Sequence, residues 1–231
     1  MSSTRAALGE ALAYARTGLY ATARARVEKN ITARGELGVL LVHGLAASPS
    51  QFRPVVKALE AQVDHIDAFS YQTSRPLSEI RQALARRIAA ARGKTDRLVL
   101  IGHSLGGLLL SAVLQTDSPG EHVAGFVSIC APLHGTTRSR WAPVGELKKL
   151  RPEGELITEL VRTRDRLSQW ARPILTVSAE RDLFIVPQDS ARLDGHPHLL
   201  LEGCGHVASL FDPRLHQALR AFLDDVERAR P

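Results

Sequence analysis

The sequence predicts an α/β domain, doubly wound around a mostly parallel sheet. Three observations carry that expectation. Continuous apolar runs of strand length recur along the chain, as in Gly38–Val42, Leu98–Ile101 and Val123–Ile129, and such runs suit strands buried on both faces. Segments with helical periodicity lie between them. The polar motifs fall where the apolar runs end, and in such sheets ligands bind beyond the carboxyl ends of the strands.

The elements follow in order. Residues 4–29 read as an N-terminal helical extension, about residues 1–30, with Leu8, Leu12, Ala15, Leu19, Ala23 and Val27 at three- and four-residue steps and arginines opposite. Gly38–Val42 is the first strand and ends in His43-Gly44. A helix is expected over 51–61, with Phe52, Val55, Val56 and Leu59 on one face. His65–Tyr71 reads as a strand and its exit. Leu77–Arg92 is a helix with Ile80, Leu84 and Ile88 at four-residue spacing. Strands follow at Leu98–Ile101, Val123–Ile129, Pro173–Ser178 and Leu199–Leu201, with a helical run at Leu108–Leu114 and a closing helix at Leu215–Val226. One irregular excursion, about 131–172, holds a helical stretch, Glu153–Trp170, and is a candidate lid or substrate cap.

Size and composition bound the function. A chain of 231 residues forms one domain with a good core. Its 44% hydrophobic and 23% charged content is that of a soluble globular protein. No apolar run reaches membrane-spanning length, so no stable membrane insertion is expected. The arginine-studded N-terminus has no continuous apolar stretch, which predicts a cytoplasmic protein unless a leader has been removed. The net charge is +6, but the arginines are scattered over helical faces without interleaved aromatics, and this argues against a nucleic-acid partner. Two cysteines, Cys130 and Cys204, are expected to be reduced and buried at strand ends. No spacing suggests a metal site, and no cofactor is called for.

The chemistry concentrates in Gly102-His103-Ser104-Leu105-Gly106-Gly107. Strand, tight turn and helix is the setting in which G-x-S-x-G becomes a nucleophile elbow. The serine sits on a sharp, strained turn, and glycines at 102 and 106 keep side chains out of it. Gly107 lets the helix start close to the strand. A serine hydroxyl needs a base, and a histidine oriented by a carboxylate supplies one. With the order serine, acid, histidine, Asp182 in Ala179-Glu180-Arg181-Asp182 is the acid, with Glu180 in reserve and Asp189 and Asp194 farther from the strand end. His206 in Gly203-Cys204-Gly205-His206 is the base, while His196, His198 and His216 read as surface histidines. The oxyanion donors are then the backbone N–H groups of Leu105 and Leu45. His43 precedes the serine and is expected to pack behind the loop.

These residues resemble the α/β-hydrolase superfamily, in its bacterial lipase/esterase branch, from about Val39 to the end of the chain. Ala131-Pro132-Leu133-His134-Gly135-Thr136 is similar to a Pro-His-x-Gly-Thr segment of many lipases, and Glu146–Pro152 with Leu156 and Leu160 resembles their lid region. The resemblance implies an α/β-hydrolase fold with a small helical lid and a Ser104-His206-Asp182 triad, with Leu133, His134, Leu156 and Leu160 near the substrate. The expected reaction is hydrolysis of a small-molecule ester or lipid, and the Arg- and Lys-rich lid favours short or medium acyl chains. Thioesterase, amidase or acyltransferase chemistry would use the same acyl-enzyme. A non-catalytic binding protein of this fold is the remaining alternative. Oligomeric state is left open by the sequence.

Overall fold

A computed structural model describes residues 8–13, 15–16, 35–116, 120–141 and 145–229. Six strands form one sheet: β1 Gly35–Val42, β2 His65–Phe69, β3 Thr95–His103, β4 Val123–Ile129, β5 Ile174–Ala179 and β6 His198–Leu201. Their order is β2-β1-β3-β4-β5-β6, and every neighbouring pair is parallel. The chain moves outward from β1 to β2, then crosses back to β3 on the other side of β1. The order therefore reverses at the carboxyl ends of β1 and β3, the position at which ligands bind in such sheets.

Side-chain alternation builds two layers of core on the sheet. Val39, Leu41, Val99 and Ile101 face one way, toward α1 (Arg53–Leu59) and α5 (Pro213–Arg228). Leu40, Val42, Leu98 and Leu100 face the other, toward α2 (Leu77–Ala91), α3 (Leu105–Thr116) and α4 (Glu155–Ser168). This two-sided burial is why the strands read as unbroken apolar runs rather than as alternating ones.

Most expected elements form, with bounds set by local chemistry. The helix expected over 51–61 begins instead as a 3-10 turn, Pro49–Phe52, and becomes α-helical only at Arg53. Pro54 explains the break, because it lacks an N–H and belongs in a helix's first turn. The closing helix starts two residues before Leu215: the Asp212 side chain accepts from Arg214 N at 2.9 Å and Pro213 follows it, a cap and first residue of the favoured types. Of the N-terminal helix expected over 4–29, residues 8–13 and 15–16 are helical and the rest lies outside the described residues.

The 131–172 excursion contains two 3-10 turns, Thr137–Trp141 and Gly145–Leu150, before α4. The apolar stripe of α4, Leu156, Ile157, Leu160 and Leu167, is buried in the same cluster as Leu108, Leu109 and Ala112 of α3. Polar ties reinforce the seam: Thr163 Oγ1 donates to Gln115 Oε1 at 3.0 Å, and Arg166 donates to the Gln115 carbonyl at 3.0 Å. Leu156 and Leu160, expected near the substrate, are thus core residues, 9% and 2% exposed. Their spacing was that of an amphipathic helix, and α3 supplies the apolar face that such a helix needs. Among the described residues no helix is long and apolar enough to cross a membrane.

Candidate active site

The residues that follow β1, β3 and β4 include unusual backbone conformations. Among the described residues, three non-glycine residues have left-handed φ: Ala46 after β1 (50°), Ser104 after β3 (55°) and Cys130 after β4 (48°). Such residues cost of order 1–3 kcal/mol each and cluster at functional sites. At Ser104 the turn is fixed by its own N–H, which donates to the Ile129 carbonyl at 2.8 Å, and by its carbonyl, which accepts from Gly107 N at 3.0 Å.

The glycines around it are required by contact. A Cβ on Gly102 would lie 2.5 Å from Gly107 Cα, and one on Gly106 would lie 2.1 Å from the Val42 carbonyl oxygen. The elbow helix is therefore pressed against the end of β1. A Cβ on Gly44 would come within 3.1 Å of Ser104 Cβ, which puts the loop carrying Leu45 directly beside the serine. Leu105 opens α3, and the N–H groups of a helix's first turn have no intrahelical acceptor. Leu45 itself is 42% exposed.

Asp182 and His206 meet in the interior. His206 Nδ1 lies 2.7 Å from Asp182 Oδ2, with both side chains almost fully buried. The other carboxylate oxygen, Oδ1, accepts from Phe184 N at 2.8 Å and Ile185 N at 2.9 Å. These amides fix the carboxylate's orientation. With Nδ1–H given to Asp182, the neutral imidazole has its lone pair on Nε2. The Phe184 ring lies 5.1 Å from that of His206, and Phe184 is 47% exposed at its outer side.

The reserve and rival residues are engaged elsewhere. Glu180 Oε2 accepts from Gly203 N at 2.6 Å. His198 bonds Thr176 Oγ1 at 2.8 Å and Ser178 Oγ at 2.9 Å, and His216 Nε2 donates to the Leu210 carbonyl at 2.9 Å. His43 packs behind its loop. It stacks on Tyr71 at 4.2 Å, its Nδ1 donates to the Gly44 carbonyl at 2.8 Å, and its Nε2 accepts from Tyr71 N at 3.3 Å. Burial holds its pKa below the usual histidine value.

Leu133 is buried in the core. His134 lines a separate cleft of about 470 Å³ with Pro152, Pro187, Asp189 and Arg192. Its Nε2 donates to the Arg192 carbonyl at 2.9 Å, and its Nδ1 accepts from Arg164 at 3.1 Å. Burial, then the Arg164 charge, lowers its pKa. The residue of that segment that meets the Asp182 loop is Thr136. Its hydroxyl donates to the Phe184 carbonyl at 2.7 Å and accepts from Val186 N at 3.2 Å, tying the excursion to the Asp182 loop. Nothing in the sequence marks it beyond its place in the Pro-Leu-His-Gly-Thr run.

Two further supports escaped the sequence reading. His103 Nε2 lies 3.2 Å from the His206 carbonyl, and Ser209 Oγ donates to the same carbonyl at 2.6 Å. The Cys130 thiol also lies close, since Cys130, Asp182 and His206 have ligand atoms within 4.8 Å of one another. Burial first, then the Asp182 charge, pushes that thiol's pKa well up, so it stays protonated and is a poor metal ligand. Asp182 and His206 are moreover already bonded to each other. Both cysteines are free and buried.

A parallel sheet with a serine on a left-handed turn at its switch point, whose preceding histidine meets the loop of a buried carboxylate–imidazole pair, defines a hydrolase-type α/β domain. Residues 39–221 match the model of the alpha/beta hydrolase family, and the chain belongs to that family. It is 31% identical over 137 residues to the rice (Oryza sativa subsp. japonica) protein Esterase PIR7B, a match covering 51% of this chain. That match spans 47% of the rice protein's length. Among solved structures, the mature Bacillus licheniformis lipase BlEst2 superposes with a TM-score of 0.65 at 14% identity, covering 87% of this chain and 96% of that one. A thioesterase-like protein from Silicibacter superposes with a TM-score of 0.61 at 18% identity, covering 85% and 78% respectively.

Proposed function

We propose that the protein is a serine carboxylic-ester hydrolase working through Ser104, His206 and Asp182. The observation that most supports this reading is the buried 2.7 Å bond from His206 Nδ1 to Asp182, with the His206 carbonyl 3.2 Å from Nε2 of His103, the residue before an elbow serine with φ of 55°. In this reading His206 Nε2 takes the Ser104 hydroxyl proton as the oxygen attacks the ester carbonyl. The tetrahedral oxyanion accepts from the N–H groups of Leu105 and Leu45. Collapse expels the alcohol, which receives the proton from His206. Water, deprotonated by the same imidazole, then releases the carboxylic acid and restores the serine. Asp182 stabilises the imidazolium and holds its tautomer.

The substrate class follows from the rim. Leu45, Leu183 and Phe184 are 42%, 65% and 47% exposed on the loops after β1 and β5, an apolar edge suited to an acyl chain. Since α4 buries its own apolar stripe, we assign substrate selection to this rim and to Pro132–Thr136 rather than to Leu156 and Leu160. Short and medium acyl esters are the proposed substrates. The test is a series of p-nitrophenyl esters of increasing chain length, read as kcat/KM. A maximum at short or medium chains supports the assignment, and no turnover on any member contradicts it. Acyl thioesters, assayed in parallel, measure the one alternative that the Silicibacter-like fold suggests. Both reactions pass through the same acyl-enzyme.

A further inference from the structure

The N-terminal helical segment lies outside the residues that match the family model, 39–221, yet it reaches the loop that carries His206. Glu10 spans the gap. Its Oε1 accepts from Val207 N at 2.8 Å and its Oε2 from Ala208 N at 3.0 Å. These are the two amides immediately after the proposed base. They open the short 3-10 turn Ala208–Phe211, whose N-cap residue Val207 supplies no side-chain acceptor. The carboxylate from residue 10 takes that place.

The opposite side of the contact is shaped to admit it. A Cβ on Gly205 would stand 2.3 Å from Glu10 Oε2 and 2.9 Å from Glu10 Cδ. Gly205 has no left-handed φ, so a methyl there would meet the Glu10 carboxylate and would have to displace it. A second tie lies three residues beyond Ala208, where the Arg16 guanidinium sits 5.8 Å over the Phe211 ring. Ala13, between the two, is buried. The His206 backbone is thereby gripped from two directions. His103 and Ser209 hold its carbonyl, and Glu10 holds the next two amides.

We propose that Glu10 is a positioning residue, a strut from the N-terminal helix that fixes the His206 loop so that the imidazole is aimed at Ser104. The proposal rests on the serine-hydrolase reading. A bidentate carboxylate on two adjacent amides restrains both position and rotation of the segment. Small misplacements of a base are costly in rate, because the reacting atoms must be held in a near-attack arrangement.

The experiment compares wild type, Glu10→Ala, Glu10→Gln, Gly205→Ala and the Glu10→Ala/Gly205→Ala double variant in the full chain. The readouts are kcat and KM on p-nitrophenyl butyrate, the rate of labelling by a fluorophosphonate, and amide hydrogen exchange at 207 and 208. Glu10→Ala should lower kcat on the order of tenfold with KM changed less than about twofold. The same variant should speed exchange at Val207 and Ala208. Glu10→Gln keeps one acceptor oxygen and should recover part of the loss. Gly205→Ala evicts the carboxylate and should resemble Glu10→Ala. The double variant should be no worse than Glu10→Ala alone, because the methyl then has nothing to displace. Wild-type kcat in Glu10→Ala, or losses that multiply in the double variant, would overturn the proposal. A fall in thermal stability with kcat unchanged would overturn it too. A wild-type chain inert to both ester and fluorophosphonate would sink the serine-hydrolase reading, and the strut's catalytic role with it. Slow exchange at 207 and 208 would then still report the contact.

Discussion

His103 Nε2 lies 3.2 Å from the backbone carbonyl of His206, so the residue before the elbow serine is tied to the residue proposed as its base. The two rings lie 4.7 Å apart. Since the carbonyl can only accept, His103 carries its proton on Nε2. Its Nδ1 is buried with no hydrogen-bond partner among the described residues. Replacing His103 with Phe removes the donor while keeping a ring. It should cost about 1–2 kcal/mol of stability and lower kcat more than it raises KM. Denaturant titration and steady-state kinetics check the two halves.

The same histidine sets an acid limit on stability. Burial first, then the nearby His206, holds the His103 pKa well below the usual value, and burial lowers that of His43. For a base whose folded pKa is depressed, the unfolded chain takes up the proton first. Stability is therefore complete above the unfolded pKa of about 6.5 and is lost as pH falls below it toward the folded values. The midpoint of urea unfolding should decline from pH 7 to pH 5, and the decline should be shallower in His103→Phe.

Ser104 stores backbone strain at φ 55°. Glycine adopts that conformation without strain, and alanine adopts it only at a cost. Ser104→Gly should therefore be more stable than Ser104→Ala by about 1 kcal/mol, with both inactive. A melting comparison of the two variants reads this directly.

Asp182→Asn retains the shape of the acid but not its charge. Where an asparagine replaces the acid of such a triad, the imidazole takes the wrong tautomer and kcat falls about ten-thousandfold. Here the loss should be of that order, with the fold kept, because the side-chain oxygen can still accept from Phe184 and Ile185. Kinetics with circular dichroism separates the two effects.

Leu160 is 2% exposed in the core against α3. Leu160→Ala should cost about 2–5 kcal/mol of stability and leave the acyl-chain preference of the surviving enzyme unchanged. A shift in chain-length preference without destabilisation would return α4 to a substrate-lining role.

The sequence carried the fold because its signals are local. Unbroken runs such as Val123–Ile129 mark strands buried on both faces, and the glycines at 102 and 106 mark the elbow. Strand ends and chain order were enough to single out Asp182 and His206, which the structure brings within 2.7 Å of each other. The failures have one physical origin, contacts between segments distant in sequence. Leu156 and Leu160 have the spacing of an apolar face, but only α3 decides whether that face is buried. His134 sits in a motif-like run, yet Arg164 and Arg192 take it to another cleft. Glu10 is one carboxylate on a helical face, and its meaning depends on amides 197 and 198 residues away.

The central claim is that Ser104 is a nucleophile activated by His206. Intact-mass analysis after exposure to a fluorophosphonate, followed by peptide mapping, tests it most directly. One adduct per chain is expected, on the peptide containing Ser104. The adduct should be absent in Ser104→Ala and form far more slowly in His206→Ala. Modification at another residue, or equal labelling of wild type and Ser104→Ala, would contradict it.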